Sequence, residues 1–197
     1  DECFVGALSL ESIRLSADSI ELVNNAFKNC EALQKLEIEC KNKLSISKEL
    51  FEGCGSLENV VFKASTLNLL ESCFGNLQNL KTIKFECEKI KFGENCFLNC
   101  NNVESIEIGC KDEIKLSKKI FSGFQTFTKQ DIKNSKGFLL TKLKSLKLSG
   151  KKVTINDVYS DFTSLESLYI ESWVNDFQND SSILFYLGRK CFQNLSN

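Results

Sequence analysis

The chain contains no histidine, no methionine and no proline, and it has a single tryptophan. Without histidine there is no conventional Ser-His-Asp triad and no Cys-His pair, in which an imidazole activates the nucleophile. A mixed cysteine–histidine zinc site is excluded for the same reason. The phosphate-binding motifs G-x-x-x-x-G-K-[ST] and G-x-G-x-x-G are also absent from the sequence. These absences predict that the protein is not an enzyme and holds no cofactor.

The chain also lacks an excess of one charge and a long apolar run. Lysine and arginine total 25 against 26 acidic residues, which gives a net charge of −1. This balance does not favour binding to nucleic acid or to an acidic membrane surface. No apolar stretch approaches the ~18 residues of a transmembrane helix, so we expect no direct membrane insertion by this segment. With 197 residues and 42% apolar content, the chain can form one continuous core.

What the chain does contain is one motif that recurs about every 23 residues. An aromatic residue is followed by apolar residues at fixed offsets, as in Phe27-x-x-Cys30-x-x-Leu33-x-x-Leu36-x-Ile38. A period of about 20 to 29 residues built on L-x-x-L-x-L predicts a leucine-rich-repeat solenoid. Five clear copies and two degenerate ones place the first leucine-type residue of the motif at Leu10, Leu33, Leu57, Leu80, Val103, Leu143 and Leu165.

Each repeat predicts two short strands. The end of the motif alternates apolar and polar residues, which is typical of a half-buried strand, and stacked repeats would place these strands in a parallel sheet. A second apolar pair, five and seven residues before most of the aromatics, predicts a very short strand on the opposite wall, with room for one helical turn after it. We therefore expect an α/β solenoid, a right-handed coil with a parallel concave β-sheet, short second-wall strands and helical turns. The sheet strands are predicted near 13–15, 36–38, 60–62, 83–85, 106–108, 146–148 and 168–170, and the second-wall pieces near 20–22, 44–46, 67–69, 90–92 and 114–116.

The aromatic residues keep a constant offset from the leucines, which predicts that they stack on one another through the core. A scatter of unrelated core aromatics would not follow the period of the repeat. The predicted spine consists of Phe4, Phe27, Phe51, Phe74, Phe97, Phe121, Tyr159 and Phe192.

The motif resembles the BspA-type leucine-rich repeat, in which a polar turn leads into A/C-F-x-x-C-x-x-L-x-x-[LIV]-x-[LIF]. The stretches 25–30 and 95–100 are the closest copies, and the resemblance covers nearly the whole chain. The chain departs from the family in lacking the proline that often follows the strand. Such repeats occur in surface proteins of bacteria and parasitic protozoa, so the resemblance implies adhesion or surface recognition.

We expect residues 1–197 to form one solenoid domain of about seven repeats plus a partial C-terminal one. Because the segment opens and closes within a repeat, we expect it to be part of a longer protein. Insertions near 125–141 and 172–182 break the period and predict loops. These loops either flank a binding surface or are surface loops that the fold tolerates without a function. Trp173 in the second insertion is a residue type found at interfaces, but it could equally cover the last core layer.

Ten cysteines invite a disulfide or zinc interpretation, yet their positions within the repeat predict buried free thiols. Other repeats fill the same positions with alanine, leucine or other uncharged residues, and a free cysteine behaves as a small apolar residue. Cysteines of neighbouring repeats would lie close, but their parallel Cβ directions suit disulfide geometry poorly. Cys96 and Cys100 have a metal-like spacing without a histidine to complete a mixed site. We expect no metal site.

The solvent-facing strand positions form a candidate binding surface. Neighbouring strands carry opposite charges at several of these positions, which is explained most simply by charge pairing across a solvated sheet. A binding groove would instead show an aromatic cluster or charges of one sign, and only Val61 and Tyr169 suggest one. The candidate protein-binding residues are Arg14, Lys35, Glu37, Val61, Lys84, Glu107, Lys147, Tyr169 and Trp173.

These observations predict a non-enzymatic protein-recognition module whose partner is a protein of unknown identity. The family resemblance implies a surface protein that binds host or matrix proteins in adhesion, and hence a cell-surface or secreted location. The alternative is an intracellular scaffold, or a structural component of a larger assembly, in the cytoplasm. The many interchangeable cysteines favour a reducing compartment and so support that alternative. The sequence does not indicate an oligomeric state.

Overall fold

The alternating apolar residues of the repeat form strands that lie side by side in one sheet. The computed structural model describes residues 3–23, 25–117, 120, 142–156 and 164–172, and the backbone of residues 185–187. Within these residues the strands are β1 (Ser12–Ala17), β2 (Ile20–Leu22), β3 (Lys35–Cys40), β4 (Lys43–Ile46), β5 (Asn59–Leu69), β6 (Thr82–Phe92), β7 (Ser105–Ser117), β8 (Ser145–Asn156), β9 (Ser167–Ser172) and β10 (Phe185–Leu187).

The strands pair in the order β1-β3-β5-β6-β7-β8-β10, while β9 pairs with β8 and β4 pairs with both β2 and β5. All of these pairings are parallel. The register places each motif position beside the same position of the next repeat, as at Leu36, Val60 and Ile83. The sheet forms a solenoid of about six turns. The predicted strands and their parallel pairing are confirmed.

The structure differs from the sequence prediction at the corner between the two strands of a repeat. In β5, β6, β7 and β8 the predicted sheet strand and the second-wall piece form one continuous strand. Along β5 the buried positions are 60, 62 and 64, and then 67 and 69, so the buried side changes phase at residues 65–66. The prediction of separate strands was wrong for these repeats, because β5 and β6 keep their register on both sides of the corner. In the first two repeats the two strands are separate.

The polar stretches before the aromatics fold as turns in the described residues up to Phe97, so the predicted helical turns are not confirmed there. Each of these turns holds a residue with positive φ two positions before the aromatic, two positions after it, or both. An α-helix cannot continue through the left-handed conformation, which costs an L-residue free energy and favours glycine and asparagine. The residues with positive φ are Gly6, Asn25, Asn29, Glu49, Gly53, Ser72, Asn76, Asn95 and Asn99.

The phenylalanine spine is confirmed over the described repeats. The ring centroids of Phe27 and Phe51 lie 5.8 Å apart, those of Phe51 and Phe74 lie 5.3 Å apart, and those of Phe74 and Phe97 lie 5.2 Å apart. These four phenylalanines are buried. A second stack that we did not predict joins Phe62 of β5 to Phe85 of β6, with centroids 5.4 Å apart. Two parallel aromatic rows therefore cross the middle of the core.

Several sequence predictions lie outside the described residues. They concern most of the two insertions, Trp173, and the spine positions Phe121, Tyr159 and Phe192. The right-handed coil and the concave sheet stay predictions. In the part of the chain that the structure describes, no helix combines the length and hydropathy needed to cross a bilayer.

Candidate functional site

The candidate binding surface is a row of side chains that point outwards from consecutive strands. Each member of the row is the register partner of the next, from β1 through β3, β5, β6, β7 and β8 to β9. We call this set the central row. It consists of Arg14, Glu37, Val61, Lys84, Glu107, Lys147 and Tyr169.

Most charges of the central row are paired with a neighbour. Arg14 Nε lies 3.8 Å from Glu37 Oε2, and Lys35 Nζ on the same strand as Glu37 lies 2.7 Å from Glu37 Oε1. Glu107 accepts from both sides, with Lys84 Nζ at 3.2 Å and Lys147 Nζ at 2.9 Å. The predicted charge pairing across strands is confirmed. Each pair is partly exposed to solvent, so it contributes little to stability.

The pairing changes the proton affinity of the charged groups. The hydrogen bond from Lys147 lowers the pKa of Glu107, and the same bond raises the pKa of Lys147. The hydrogen bond from Lys35 lowers the pKa of Glu37. Both carboxylates therefore stay ionised well below neutral pH, and cations beside them balance their charge. The surface presents fixed, alternating charges, without a field of one sign.

The β9 end of the central row differs from the rest. Tyr169 is 48% exposed, and its ring lies 5.8 Å from Lys147 Nζ. Its hydroxyl donates to Glu171 Oε2 at 3.0 Å, and this hydrogen bond raises the pKa of Tyr169. Leu168 beside it is the register partner of buried Leu146 and is itself 44% exposed. Val61, the other apolar member of the row, is half-buried. Tyr169 is therefore the most exposed uncharged side chain of the central row.

A second charged row, which we did not predict, lies just before the strands. Lys81 Nζ lies 2.8 Å from Glu58 Oε1, and Lys144 Nζ lies 2.9 Å from Glu104 Oε2. The backbone of these residues is also linked, with Lys81 N donating to Glu58 O and Lys144 N to Glu104 O, both at 2.8 Å. This row could have been predicted from the sequence, because these charges alternate in sign at one motif position, directly after the first leucine-type residue.

Seven of the nine described cysteines are buried, and all nine carry free thiols. The prediction of burial was wrong for Cys3, which is exposed, and for Cys87, which is half-buried. Three buried thiols lie 3.0 Å from the carbonyl oxygen of an aromatic residue in the preceding repeat. These contacts are Cys30 to Phe4, Cys54 to Phe27 and Cys100 to Phe74. The thiol thus supplies a donor that an alanine in the same position lacks.

The repeats also agree with a known family. A family model described as BspA type Leucine rich repeat region matches residues 1–128 in six copies. The chain belongs to the BspA-type leucine-rich-repeat family. A search of the curated proteins and of the solved structures found no match. Leucine-rich repeats in general are protein-interaction modules, typically without enzymatic activity.

A groove runs along the BspA-type repeats where the sheet strands reach the corner. Its volume is about 900 Å³, and it crosses five strands from β1 to β7. Its lining carries both charge signs together with three thiols, and it includes Lys63, Glu86, Lys111, Cys40, Cys87 and Cys110. Within the described ranges, no cluster of three or more cysteine, aspartate or glutamate side chains could hold a metal ion.

Proposed function

We propose that this segment binds a protein partner through the central row and the positions beside it, without turning over a substrate. The proposal rests on one observation, namely that seven strands present the same solvent-facing position in continuous register. At the ~4.8 Å spacing of neighbouring strands, the row spans about 30 Å, which matches the extended surfaces that repeat proteins use for binding.

The pairing of the charges supports a role in orientation. A paired side chain such as Glu107 is held in place before binding, so it loses less conformational freedom when a partner arrives. Charges that already have neighbours add little affinity of their own, but they exclude partners with the wrong charge pattern. We therefore assign selectivity to the charged positions Arg14, Lys35, Glu37, Lys84, Glu107 and Lys147.

Binding energy is expected to concentrate at the β9 end. Tyr169 exposes apolar surface on the central row, and tyrosine is one of the residue types that dominate the energy of protein interfaces. Lys147 and Glu171 hold the ring and the hydroxyl of Tyr169. Trp173 follows four residues later in the sequence, outside the described residues, and stays part of the proposed surface together with Val61.

The partner we favour is a host or matrix protein bound during adhesion, since BspA-type repeats occur on the surfaces of bacteria and parasitic protozoa. The alternative is an intracellular scaffold, which the nine free thiols of the described residues favour because disulfides persist in secreted proteins. Labelling intact source cells with a membrane-impermeant biotin reagent separates the two. Labelled protein supports adhesion, and protection from the label until the cells are lysed supports the scaffold.

The binding surface is tested with a combined variant, Glu37→Ala, Lys84→Ala, Glu107→Ala and Tyr169→Ala, assayed against immobilised matrix proteins and host cells. A separate Trp173→Ala variant tests the second insertion. The control variant combines Glu21→Ala, Lys91→Ala and Lys115→Ala, which removes exposed charges from the second-wall segments. We expect the combined variant to lose binding and the control to keep it. A partner that binds both equally, and binds the Trp173 variant as well, would place the interface elsewhere.

A further inference from the structure

Cys87 and Cys110 lie side by side at the point where the sheet opens. They are register partners on β6 and β7, and they form the last pair in that register. Beyond them β7 contains a bulge, since Lys111 and Asp112 together oppose the single residue Lys151 of β8. The register of β5 with β6, in contrast, continues to Phe92. The bulge therefore ends the pairing of β6 with β7 directly after the two cysteines.

This position gives solvent access to the pair. Both cysteines line the groove of about 900 Å³, and Cys87 is half-buried while Cys110 is buried. Cys40 occupies the same motif position two repeats earlier, but it is buried and its register partner on β1 is Ala17. Among the described residues at this motif position, only Cys87 and Cys110 are thiols on neighbouring strands. Small molecules in solution can reach Cys87.

The spacing of the two strands brings the pair within the range of a disulfide bond. Register partners on neighbouring strands are ~4.8 Å apart, within the range of about 4.4–6.8 Å between Cα atoms of disulfides. Cys87 Sγ lies 3.7 Å from the carbonyl oxygen of Gly109, and Cys110 Sγ lies 3.4 Å from that of Glu88, so each sulfur approaches the other strand. The hydrogen bond that the two thiols share lowers the pKa of Cys110 and raises that of Cys87.

We propose that Cys87 and Cys110 form a thiol–disulfide exchange site, which reacts with a small disulfide such as glutathione disulfide and closes into a disulfide bond between two neighbouring repeats. This site is independent of the proposed binding function.

The exchange takes two steps. The pair loses one proton, and transfer of the Cys87 proton to Cys110 across the hydrogen bond that they share places the thiolate on the accessible Cys87. The Cys87 sulfur then attacks one sulfur of glutathione disulfide, which breaks that S–S bond and releases one glutathione thiolate. The Cys110 thiol then loses its proton, and its sulfur attacks Cys87 Sγ and displaces the second glutathione thiolate. The two released thiolates take up the two protons. One glutathione disulfide is reduced to two glutathione molecules, and the two cysteines are oxidised to one disulfide.

We expect the bond to be reversible. Cysteines on adjacent parallel strands have nearly parallel Cβ directions, which strain a disulfide, and strained, accessible disulfides are the easily reduced ones. The bond would therefore form under oxidising conditions and open again with excess reduced glutathione.

A second thiol pair between the same two repeats supplies the internal control. The Sγ atoms of Cys73 and Cys96 lie only 3.2 Å apart, but both side chains are buried. A disulfide in solution therefore reaches neither of these two sulfurs, whereas it reaches the half-buried Cys87. If the distance between the sulfurs alone decided the reaction, Cys73 and Cys96 would cross-link. If solvent access is also needed, Cys87 and Cys110 cross-link instead.

The test uses the full chain with Cys3→Ser and Cys191→Ser, so that exposed Cys3 and the undescribed Cys191 do not react. The folded protein is incubated with mixtures of oxidised and reduced glutathione, and exchange is stopped with acid. The chain is then unfolded, free thiols are alkylated with excess N-ethylmaleimide near neutral pH, and peptides are mapped by non-reducing mass spectrometry. Two further variants add Cys110→Ala or Cys87→Ala, for which Ala17 and Ala64 at the same motif position are precedents. Circular dichroism checks that each variant is folded.

We expect a Cys87–Cys110 cross-linked peptide that forms with oxidised glutathione and is lost with excess reduced glutathione. The Cys110→Ala variant should lose this peptide and carry a stable glutathione adduct on Cys87, while Cys73 and Cys96 stay alkylatable in all samples. The proposal is wrong if Cys87 and Cys110 stay reduced throughout, or if Cys73 and Cys96 cross-link as readily. Because the cross-linked peptide is measured in the chain with both cysteines present, the test does not depend on the folding of the alanine variants.

Discussion

At the scale of single residues, the core depends on side chains that contact their counterparts in the next repeat. Phe74 contacts three rings, with centroids at 5.3 Å for Phe51, 5.9 Å for Phe62 and 5.2 Å for Phe97. It therefore joins the spine to the second aromatic stack. Aromatic pairs at such distances add about 0.5–1.5 kcal/mol beyond the burial of their surface.

Replacing Phe74 with alanine is expected to lower the free energy of unfolding by ~3–5 kcal/mol, since the site is packed on several sides and cannot collapse. Urea denaturation followed by circular dichroism measures the loss. Leu8→Ala is the control, because Leu8 is 60% exposed and its removal should change stability by no more than about 0.5 kcal/mol. A loss below about 1 kcal/mol for Phe74→Ala would contradict its role in the spine.

The charge pairs predict a loss of stability in acid. The pKa of Glu107 lies below its ordinary value of 4.5 in the folded chain, so the unfolded chain binds more protons as the pH falls through this range. The contribution of Glu107 is complete above pH ~4.5 and is lost as the pH falls through the lower, folded-state pKa. Between about pH 6 and pH 3, the Glu107→Gln variant should therefore lose less stability than the parent chain.

Urea midpoints measured across this pH range give the comparison. The difference between the two chains should shrink in ~1 M salt, where exposed ion pairs are screened. Parallel pH profiles for parent and variant at low salt would show that Glu107 is not stabilised by its lysine neighbours.

At the scale of elements, the turns of the repeat are defined by residues in the left-handed conformation. Asparagine or glycine occupies the position two residues after each described aromatic of the spine, from Phe4 to Phe97. Two residues before the aromatic, the residue types are less suited to the left-handed conformation, since Glu49 and Ser72 have positive φ there. At Gly53 a Cβ atom would also lie 3.0 Å from the Cα atom of Asn29 in the preceding turn, so a larger residue would crowd the two turns.

Glu49→Gly is expected to stabilise the protein by about 0.5–1 kcal/mol. The left-handed conformation costs a non-glycine residue about 1–2 kcal/mol, and the extra freedom of glycine in the unfolded chain offsets about 0.5–1 kcal/mol of that gain. The neighbouring exposed residue Lys48 does not have positive φ, so Lys48→Gly should destabilise by about 0.5–1 kcal/mol instead. Thermal or urea unfolding that gives both variants the same sign would show that the turn does not impose this conformation.

At the scale of the whole molecule, each repeat is stabilised mainly by the repeats on either side. The strongly paired strands lie in the middle, where β5 pairs with β3, β4 and β6. In the described part of the chain β1 pairs with β3 alone, and its residue Leu15 is only partly buried. Stability in such a linear array is close to a sum of repeat and interface contributions, so it is uneven along the array.

Hydrogen exchange of the 197-residue chain should therefore show the slowest amides in β5 and β6, at positions such as Phe62 and Phe85. The amides of β1 should exchange faster, because opening this strand breaks one interface where opening a middle strand breaks two. Exchange rates measured by NMR or mass spectrometry decide this. Equal protection of β1 and β5 would indicate a single cooperative unit.

Much of this fold could be predicted from the sequence, because a solenoid repeats its local pattern. The offsets from Phe27 to Ile38 recur in every clear copy, so strands, parallel stacking and the phenylalanine spine follow from periodicity. The charge pairing around Glu107 follows as well, since register places equal motif positions side by side. The left-handed turns could also have been predicted, because asparagine and glycine recur at one offset from the aromatics.

Other features were decided only by the tertiary structure, because they depend on how neighbouring backbones pair. Strands β5 and β6 pass the corner without a break because their register continues through it, and β7 and β8 pair again directly after the bulge. The bulge after Cys110 arises because β7 has two residues at this point where β8 has one. Gly150 of β8 makes room for the bulge, since a Cβ atom there would lie 2.8 Å from the carbonyl oxygen of Cys110. The exposure of Cys87 depends on that bulge. Sequence periodicity places Cys40, Cys87 and Cys110 in equivalent positions, but only the pairing of their strands determines which thiol solvent reaches.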